Sequence, residues 1–199
     1  MGSKERIARL KEETRENILD AALEIVKEEG WQSLSMRKIA DKIEYTAPII
    51  YEYFANKEGI LLELTRTGYI ILGKDLRDTM AEIENPAERL EAMWIAYWNF
   101  AFENKELYRL MYGVDMVCCE MTKSMPEAEA SNRLFFDAIE KLITPKNNTE
   151  EFVCRKFYTF WSIIHGLISI NLVNKGRGQD MNQLILKDAL KGIIKYINE

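Results

Sequence analysis

Histidine occurs once in this chain of 199 residues, and cysteine three times. The lone His165 leaves no partner for a Cys/His metal site, so no metal ligand is expected. Cys118 and Cys119 are adjacent rather than spaced as CxxC, and with Cys154 the total is odd. The thiols therefore read as reduced side chains of a cytosolic protein, with a redox-sensing pair as the alternative. Proline and glycine are sparse at 4 and 10, and strand-type alternation is scarce. Apolar residues recur instead at helical spacing, which makes the class all-α. Positive charge is also short: the net charge is −5, and residues 1–60 hold ten Lys or Arg against twelve Asp or Glu. That excludes a broad basic field, and any phosphate neutralisation must come from a few placed cations and helix N-termini. There is no Gly-rich phosphate loop, nucleophile elbow or HExxH, so neither a catalytic residue nor a cofactor is expected and the chain reads as a non-enzyme.

Long hydrophobic runs are nearly missing as well. The first thirty residues are charged throughout, unlike a secretory signal, and Arg6 stands where a myristoylation motif needs Ser or Thr. Residues 157–173 are free of Asp, Glu, Lys and Arg, but the run is slightly short for a membrane span and carries Thr159, Ser162, His165, Ser169 and Asn171. It reads as a helix buried on most sides, in a cytoplasmic protein without a membrane partner.

What is present begins with two short helix patterns. Residues 35–43, SMRKIADKI, open on a serine cap; residues 46–57, TAPIIYEYFANK, open on Thr46. Glu44 and Tyr45 form the turn between them. This is the helix-turn-helix layout, with the second helix offered to a DNA major groove. Before it, Ile18, Ala21, Ala22, Ile25 and Val26 form the buried stripe of a helix from about Thr14 to Glu29, which Gly30 ends at positive φ. Residues 4–15 either extend that helix or form a basic arm, with Arg6, Arg9 and Lys11 able to lie along DNA. Trp31, Leu34, Ile39, Ala40, Ile43, Ile50 and Phe54 complete a three-helix core.

The expected organisation is a DNA-binding domain over residues 1–58 and a larger helical effector-binding and dimerisation domain over 59–199. In the latter, helices are expected over 60–83, 87–104, 106–112, 126–143, from 149 to about 176, and from 180 onward. Pro86 and Pro126 open two of them, as proline is tolerated in a first turn.

Residues 18–43, ILDAALEIVKEEGWQSLSMRKIADKI, and 45–61, YTAPIIYEYFANKEGIL, resemble the TetR family of bacterial transcriptional repressors. FAFENKELYRLMYG, residues 100–113, and WSIIHG, residues 161–166, are similar to the subgroup whose C-terminal domain carries a Trp, His, Gly signature. The resemblance implies a helix-turn-helix domain on a helical body that dimerises and binds a small effector. Carried over residue by residue, phosphate contacts fall on Arg37, Thr46, Tyr51, Tyr53 and Lys57. Thr46 with the free amides after it makes a helix N-terminus suited to an anion, and the two tyrosines bring phenolic donors. Base reading falls to Ala47, Pro48, Ile49 and Glu52: the apolar pair suits thymine methyls, and Glu52 could accept from cytosine N4. Three positions depart from the family pattern. Ile49 replaces a small hydroxyl residue and changes the base code. Glu44 replaces glycine in a turn that needs left-handed φ. Lys38 replaces an acid and adds a cation near the phosphates.

In the second half, aromatic and sulfur side chains crowd residues 93–121 and 152–165. Most must be core, but the number of Tyr and Trp suits a cavity for a flat or apolar ligand with a few polar handles. The candidates are Trp94, Tyr97, Trp98, Tyr108, Met111, Tyr112, Trp161 and His165. Packing is the leading reading of His165, and Gly166 after it marks close helix approach. The last two helices carry more apolar faces than one subunit's core can cover, which predicts a homodimer through Ile164, Ile168, Leu186, Leu190, Ile193, Ile194 and Ile197. The whole reads as a ligand-responsive regulator on a palindromic double-stranded operator, released by a small, largely apolar or aromatic effector. The alternative is an apolar-ligand-binding or protein-interaction module with a degenerate helix-turn-helix.

Overall fold

The structure, a computed structural model, describes residues 2–113, 125–174 and 178–199. Cys118 and Cys119 lie outside the described residues. Among those described there are nine α-helices, one 3₁₀ turn and no strand. The helices are α1 (Ser3–Glu29), α2 (Met36–Lys42), α3 (Ala47–Tyr53), α4 (Lys57–Met80), α5 (Pro86–Glu103), α6 (Lys105–Tyr112), α7 (Pro126–Glu140), α8 (Glu150–Asn174) and α9 (Gln179–Lys195). The chain divides into two compact units, Met1–Gly68 with Glu106–Lys123, and Tyr69–Lys105 with Ser124–Glu199.

In the first unit, Ile18, Ala21, Ala22, Ile25 and Val26 are all buried, as their spacing requires, and meet Leu34, Ile39, Ala40, Ile50 and Phe54. Each large aliphatic side chain so removed from water contributes on the order of 2 kcal/mol. Helix α1 starts at Ser3, so residues 4–15 extend the helix. The physical reason is local: good helix formers, an Arg9–Glu13 pair at 3.4 Å, and the Gly2 N–H donating to Glu5 Oε2 at 3.0 Å. Ile7 and Leu10 stay about half exposed, so this extension has left the core behind. Gly30 ends α1 at φ 83°, as its position predicts, with its N–H bonded to the Val26 carbonyl at 2.9 Å. Trp31 opens the 3₁₀ turn and is only half-buried.

The second unit is organised by α5, which packs against α7, α8 and α9. Asn85 caps α5 by accepting from the Ala87 and Glu88 N–H groups at 2.9 and 3.2 Å, and Pro86 follows at the first turn. Thr149 caps α8 similarly, its hydroxyl accepting from Phe152 N–H at 3.3 Å. Trp94 occupies the middle of an aromatic cluster, stacked on Phe135 at 4.1 Å and on Phe160 at 5.5 Å, with Tyr97 edge-on at 5.7 Å. The C-terminus is fastened to the loop after α7. Asn198 Oδ1 accepts from Thr144 N–H at 2.7 Å, and its Nδ2 donates to the Leu142 carbonyl at 3.1 Å.

The last two helices correct the sequence reading of the apolar faces. Ile164, Ile168, Leu186, Leu190 and Ile197 are buried within their own chain, and Ile193 and Ile194 are half-buried. The uncovered apolar side chains are others: Ile163, Ile170 and Val173 on α8, and Met181, Leu184 and Ile185 on α9. Helical periodicity shows that two faces are apolar, but not which of them meets the chain's own core. Among the described residues, no helix is long and apolar enough to cross a membrane.

Candidate nucleic-acid interface

The turn between α2 and α3 sets the angle at which α3 is presented. Glu44 takes φ 60°, the left-handed conformation expected of it. Tyr45 N–H reaches back to the Ala40 carbonyl at 2.9 Å, and Glu44 N–H to that of Asp41 at 3.4 Å. These are the two bonds of a Schellman C-cap, which normally places glycine at the left-handed position. At the start of α2, Ser35 Oγ accepts from Lys38 N–H at 3.3 Å, so the serine cap forms without an acid at residue 38.

Helix α3 is held from inside and open outside. Ile50 and Phe54 are buried, while Pro48, Tyr51 and Glu52 are exposed, Tyr51 to 54%. Ala47, Ile49 and Tyr53 are half-buried. The far end of α3 is fixed by Arg15, whose guanidinium lies 5.4 Å over the Phe54 ring and pairs with the Glu63 carboxylate. An aromatic residue at the end of so short a helix thus anchors it to both α1 and α4.

The N-terminus of α3 departs from its expected role. Thr46 occupies the cap position, but its hydroxyl makes no cap bond. Pro48 has no N–H, and that of Ile49 turns back to the Thr46 carbonyl at 3.0 Å. Few amides are left to face an anion: the Ala47 N–H and the exposed Thr46 hydroxyl are the donors that remain at this end.

The cations are also partly engaged. Lys38 pairs with Glu29 at the end of α1, so the added charge is offset on the spot. Lys57 Nζ donates to the Trp31 carbonyl at 2.8 Å, with two further N–H bonds to give. Lys42 lies 3.2 Å from Glu24 and 3.5 Å from Glu28. Its pKa is raised, chiefly by the hydrogen bond to Glu24. Arg37 is the most available: its side chain is 88% exposed, and Asp41 stands off at 3.9 Å. Tyr45, 42% exposed in the turn just before Thr46, is a phenol the sequence reading left unassigned.

The second unit contains a cavity of about 480 Å³, lined by Trp98, Asn99, Phe102, Glu103, Asn171, Asn182 and Gln183. Of the eight aromatic, sulfur and histidine candidates for a ligand site, only Trp98 lines it. Trp94 and Tyr97 are packed to 0 and 1% exposure in the aromatic cluster. Tyr108, Met111 and Tyr112 belong to the first unit, Tyr108 and Met111 as buried residues. The close approach in that unit falls at Gly68, where a Cβ would come within 2.5 Å of Met111 Sδ. Trp161 and His165 are half-buried and stack at 4.7 Å, and burial lowers the His165 pKa. Gly166 marks no close approach within the chain, since a Cβ there would meet nothing within 4 Å, so the close helix packing expected at His165 and Gly166 is not found there. The other lining residues, the amides Asn99, Asn171, Asn182 and Gln183 with Phe102 and Glu103, were not among the candidates. The one signal the sequence offered was Asn171, a polar amide in the charge-free run of residues 157–173.

The first unit matches the family model described as bacterial regulatory proteins, tetR family, over residues 18–64. Residues 90–184 match a tetracyclin repressor-like C-terminal domain. Among curated relatives, a transcriptional activator named FasR from Mycolicibacterium smegmatis is 24% identical over 187 residues, covering 94% of this chain and 82% of its own length. Two solved structures share the fold. A protein of unknown function from Rhodococcus sp. RHA1 aligns at TM-score 0.78 and 20% identity, over 93% of this chain and 95% of its own. A TetR/AcrR-family transcriptional regulator from Thermobifida fusca aligns at TM-score 0.67 and 22% identity, over 90% and 98%. With both halves matched and the helix-turn-helix in place, the chain belongs to the TetR family and is a ligand-responsive, DNA-binding transcriptional regulator.

Proposed function

We propose that the protein acts in the cytoplasm as a homodimeric repressor that binds a palindromic operator and is released by a small effector. The observation that carries this reading is α3, anchored by Ile50 and Phe54 with Pro48, Tyr51 and Glu52 facing outward. One such helix per chain reads one half-site, and a two-fold dimer reads two, about one helical turn or a multiple apart. Arg37, Thr46, Tyr51, Tyr53 and Lys57 would hold phosphates, with Lys38 contributing less because of Glu29. Ala47, Pro48, Ile49 and Glu52 would meet base edges. The second copy would cover the free face of α8 and α9, where six exposed apolar residues flank Gly166 and Gly192, each with open space beside it.

An effector must bind the two conformations unequally to act at all. Helix α4 has residues in both units, up to Gly68 in one and from Tyr69 in the other, and is the natural lever. A hundredfold preference, about 2.7 kcal/mol, lies within the usual range of such coupling.

Selection of bound sequences from random DNA tests the reading. Sites with dyad symmetry are expected, and a set without symmetry refutes the dimeric reader. Arg37→Ala should weaken binding to every sequence and reduce the salt slope by about 1, while Pro48 or Ile49 substitutions should change the preferred bases.

A further inference from the structure

The cavity in the second unit has a wall chemistry that selects its ligand. One side is aromatic: the Trp98 and Phe102 rings lie 4.7 Å apart, tilted by 48°. The lining also holds two amides more than nine-tenths buried, Asn171 on α8 and Asn182 on α9. Asn171 Nδ2 donates to the Leu167 carbonyl at 2.8 Å, which turns its Oδ1 toward Asn182 Nδ2, the donor it accepts. This chain of bonds fixes both amide orientations and leaves the Asn182 oxygen as the open end. Among the described residues nothing donates to it, and it is not sealed from solvent.

Among the described residues the lining carries charge of one sign: Glu103 lines the cavity, and no described Lys or Arg does. Asp75 feels this field: burial first, and then the Glu103 charge, raise its carboxyl above the usual range, with Lys74 offsetting only part. An anion would meet the Glu103 carboxylate with no described Lys or Arg in the lining to offset it. A wholly apolar molecule would bury the Asn182 oxygen unpaired, at a cost of about 1–3 kcal/mol. A cation with N–H donors meets every demand. Its charge faces Glu103, an N–H reaches the Asn182 oxygen, and its body or charged head lies against the rings. At about 480 Å³ the space suits a small organic molecule rather than a bare ion.

Resting on the reading that the second unit holds an effector site, we propose that this cavity binds a small organic ammonium ion with an aromatic or apolar body, recognised by Glu103, Asn182 and the Trp98–Phe102 pair.

The test titrates the full-length protein with 2-phenylethylammonium, the neutral isostere 2-phenylethanol and the anion 3-phenylpropanoate, each to 10 mM, by calorimetry and tryptophan emission. The ammonium ion should bind at least tenfold more tightly than either isostere. Glu103→Gln should remove that preference, and Asn182→Leu should weaken binding. Because Glu103 is exposed, its replacement leaves the fold intact, which a circular-dichroism melt verifies. Equal or tighter binding of the alcohol or the carboxylate, binding of none of the three, or a preference that survives Glu103→Gln overturns the proposal. Operator affinity is measured separately. If the ammonium ion binds with the expected preference but leaves DNA affinity unchanged, the cavity assignment stands and the effector reading fails. If other compounds release DNA while none of the three binds, the cavity assignment fails and the effector reading stands.

Discussion

Glu44 offers a quantitative test of the helix-turn-helix geometry, because strain and charge meet at one residue. Its φ of 60° places a side-chain-bearing residue where the Schellman cap favours glycine. An L-residue in that conformation gives up about 1–2 kcal/mol. Glycine would relieve this but loses more conformational freedom on folding, about 0.5–1 kcal/mol. Glu44→Gly should therefore stabilise the protein by about 0.5–1 kcal/mol. For a domain of this size that is a rise of roughly 1–4 °C in melting temperature. Glu44→Ala keeps the Cβ and its strain, so it should bring no comparable gain. Both variants remove one negative charge next to Thr46 and should tighten DNA binding to a similar degree, more at low salt than at high. Thermal melts followed by circular dichroism give the first comparison, and operator titrations at two salt concentrations give the second. If alanine stabilises as much as glycine, the backbone is not the source of strain. If only glycine changes DNA affinity, the effect is in the turn and not in the charge.

Two further outcomes follow from the second unit. Ile170→Glu or Leu184→Glu should give a folded monomer with weakened operator binding, whereas Ile168→Glu should unfold the protein, since Ile168 is fully buried. Light scattering with a circular-dichroism melt separates the cases, and a dimer that survives both exposed-face variants refutes the assigned interface. His165 should make stability depend on pH. Burial lowers its folded pKa below the unfolded value near 6.5, so the unfolded chain binds the extra proton first. The contribution is full above about pH 6.5 and is lost as pH falls through the folded pKa. Denaturant midpoints between pH 5 and 8 should show this slope for the parent and not for His165→Gln.

The sequence alone determined the all-α class, the end of α1 at Gly30, the α2–turn–α3 order and the left-handed Glu44. Each depends on neighbours within a few residues, through helical period, cap chemistry or backbone sterics. It also determined most of the core of the three N-terminal helices, because α1 and α3 each have one apolar face and no choice about burying it; Trp31 and Ile43, expected there too, are only half-buried. Tertiary structure decided the rest. Lys38 and Lys57 read as free cations until Glu29 and the Trp31 carbonyl, nine and twenty-six residues away, are brought to them. Trp94 and Trp98 are four residues apart on one helix and have the same chemistry. One is sealed in the aromatic cluster and the other borders a cavity, a difference set by what α7, α8 and α9 place beside each. The same holds for Ile168 and Ile170, two positions apart on α8: the chain's own core covers one and leaves the other exposed. Periodicity specifies that a face is apolar, and only packing specifies what covers it.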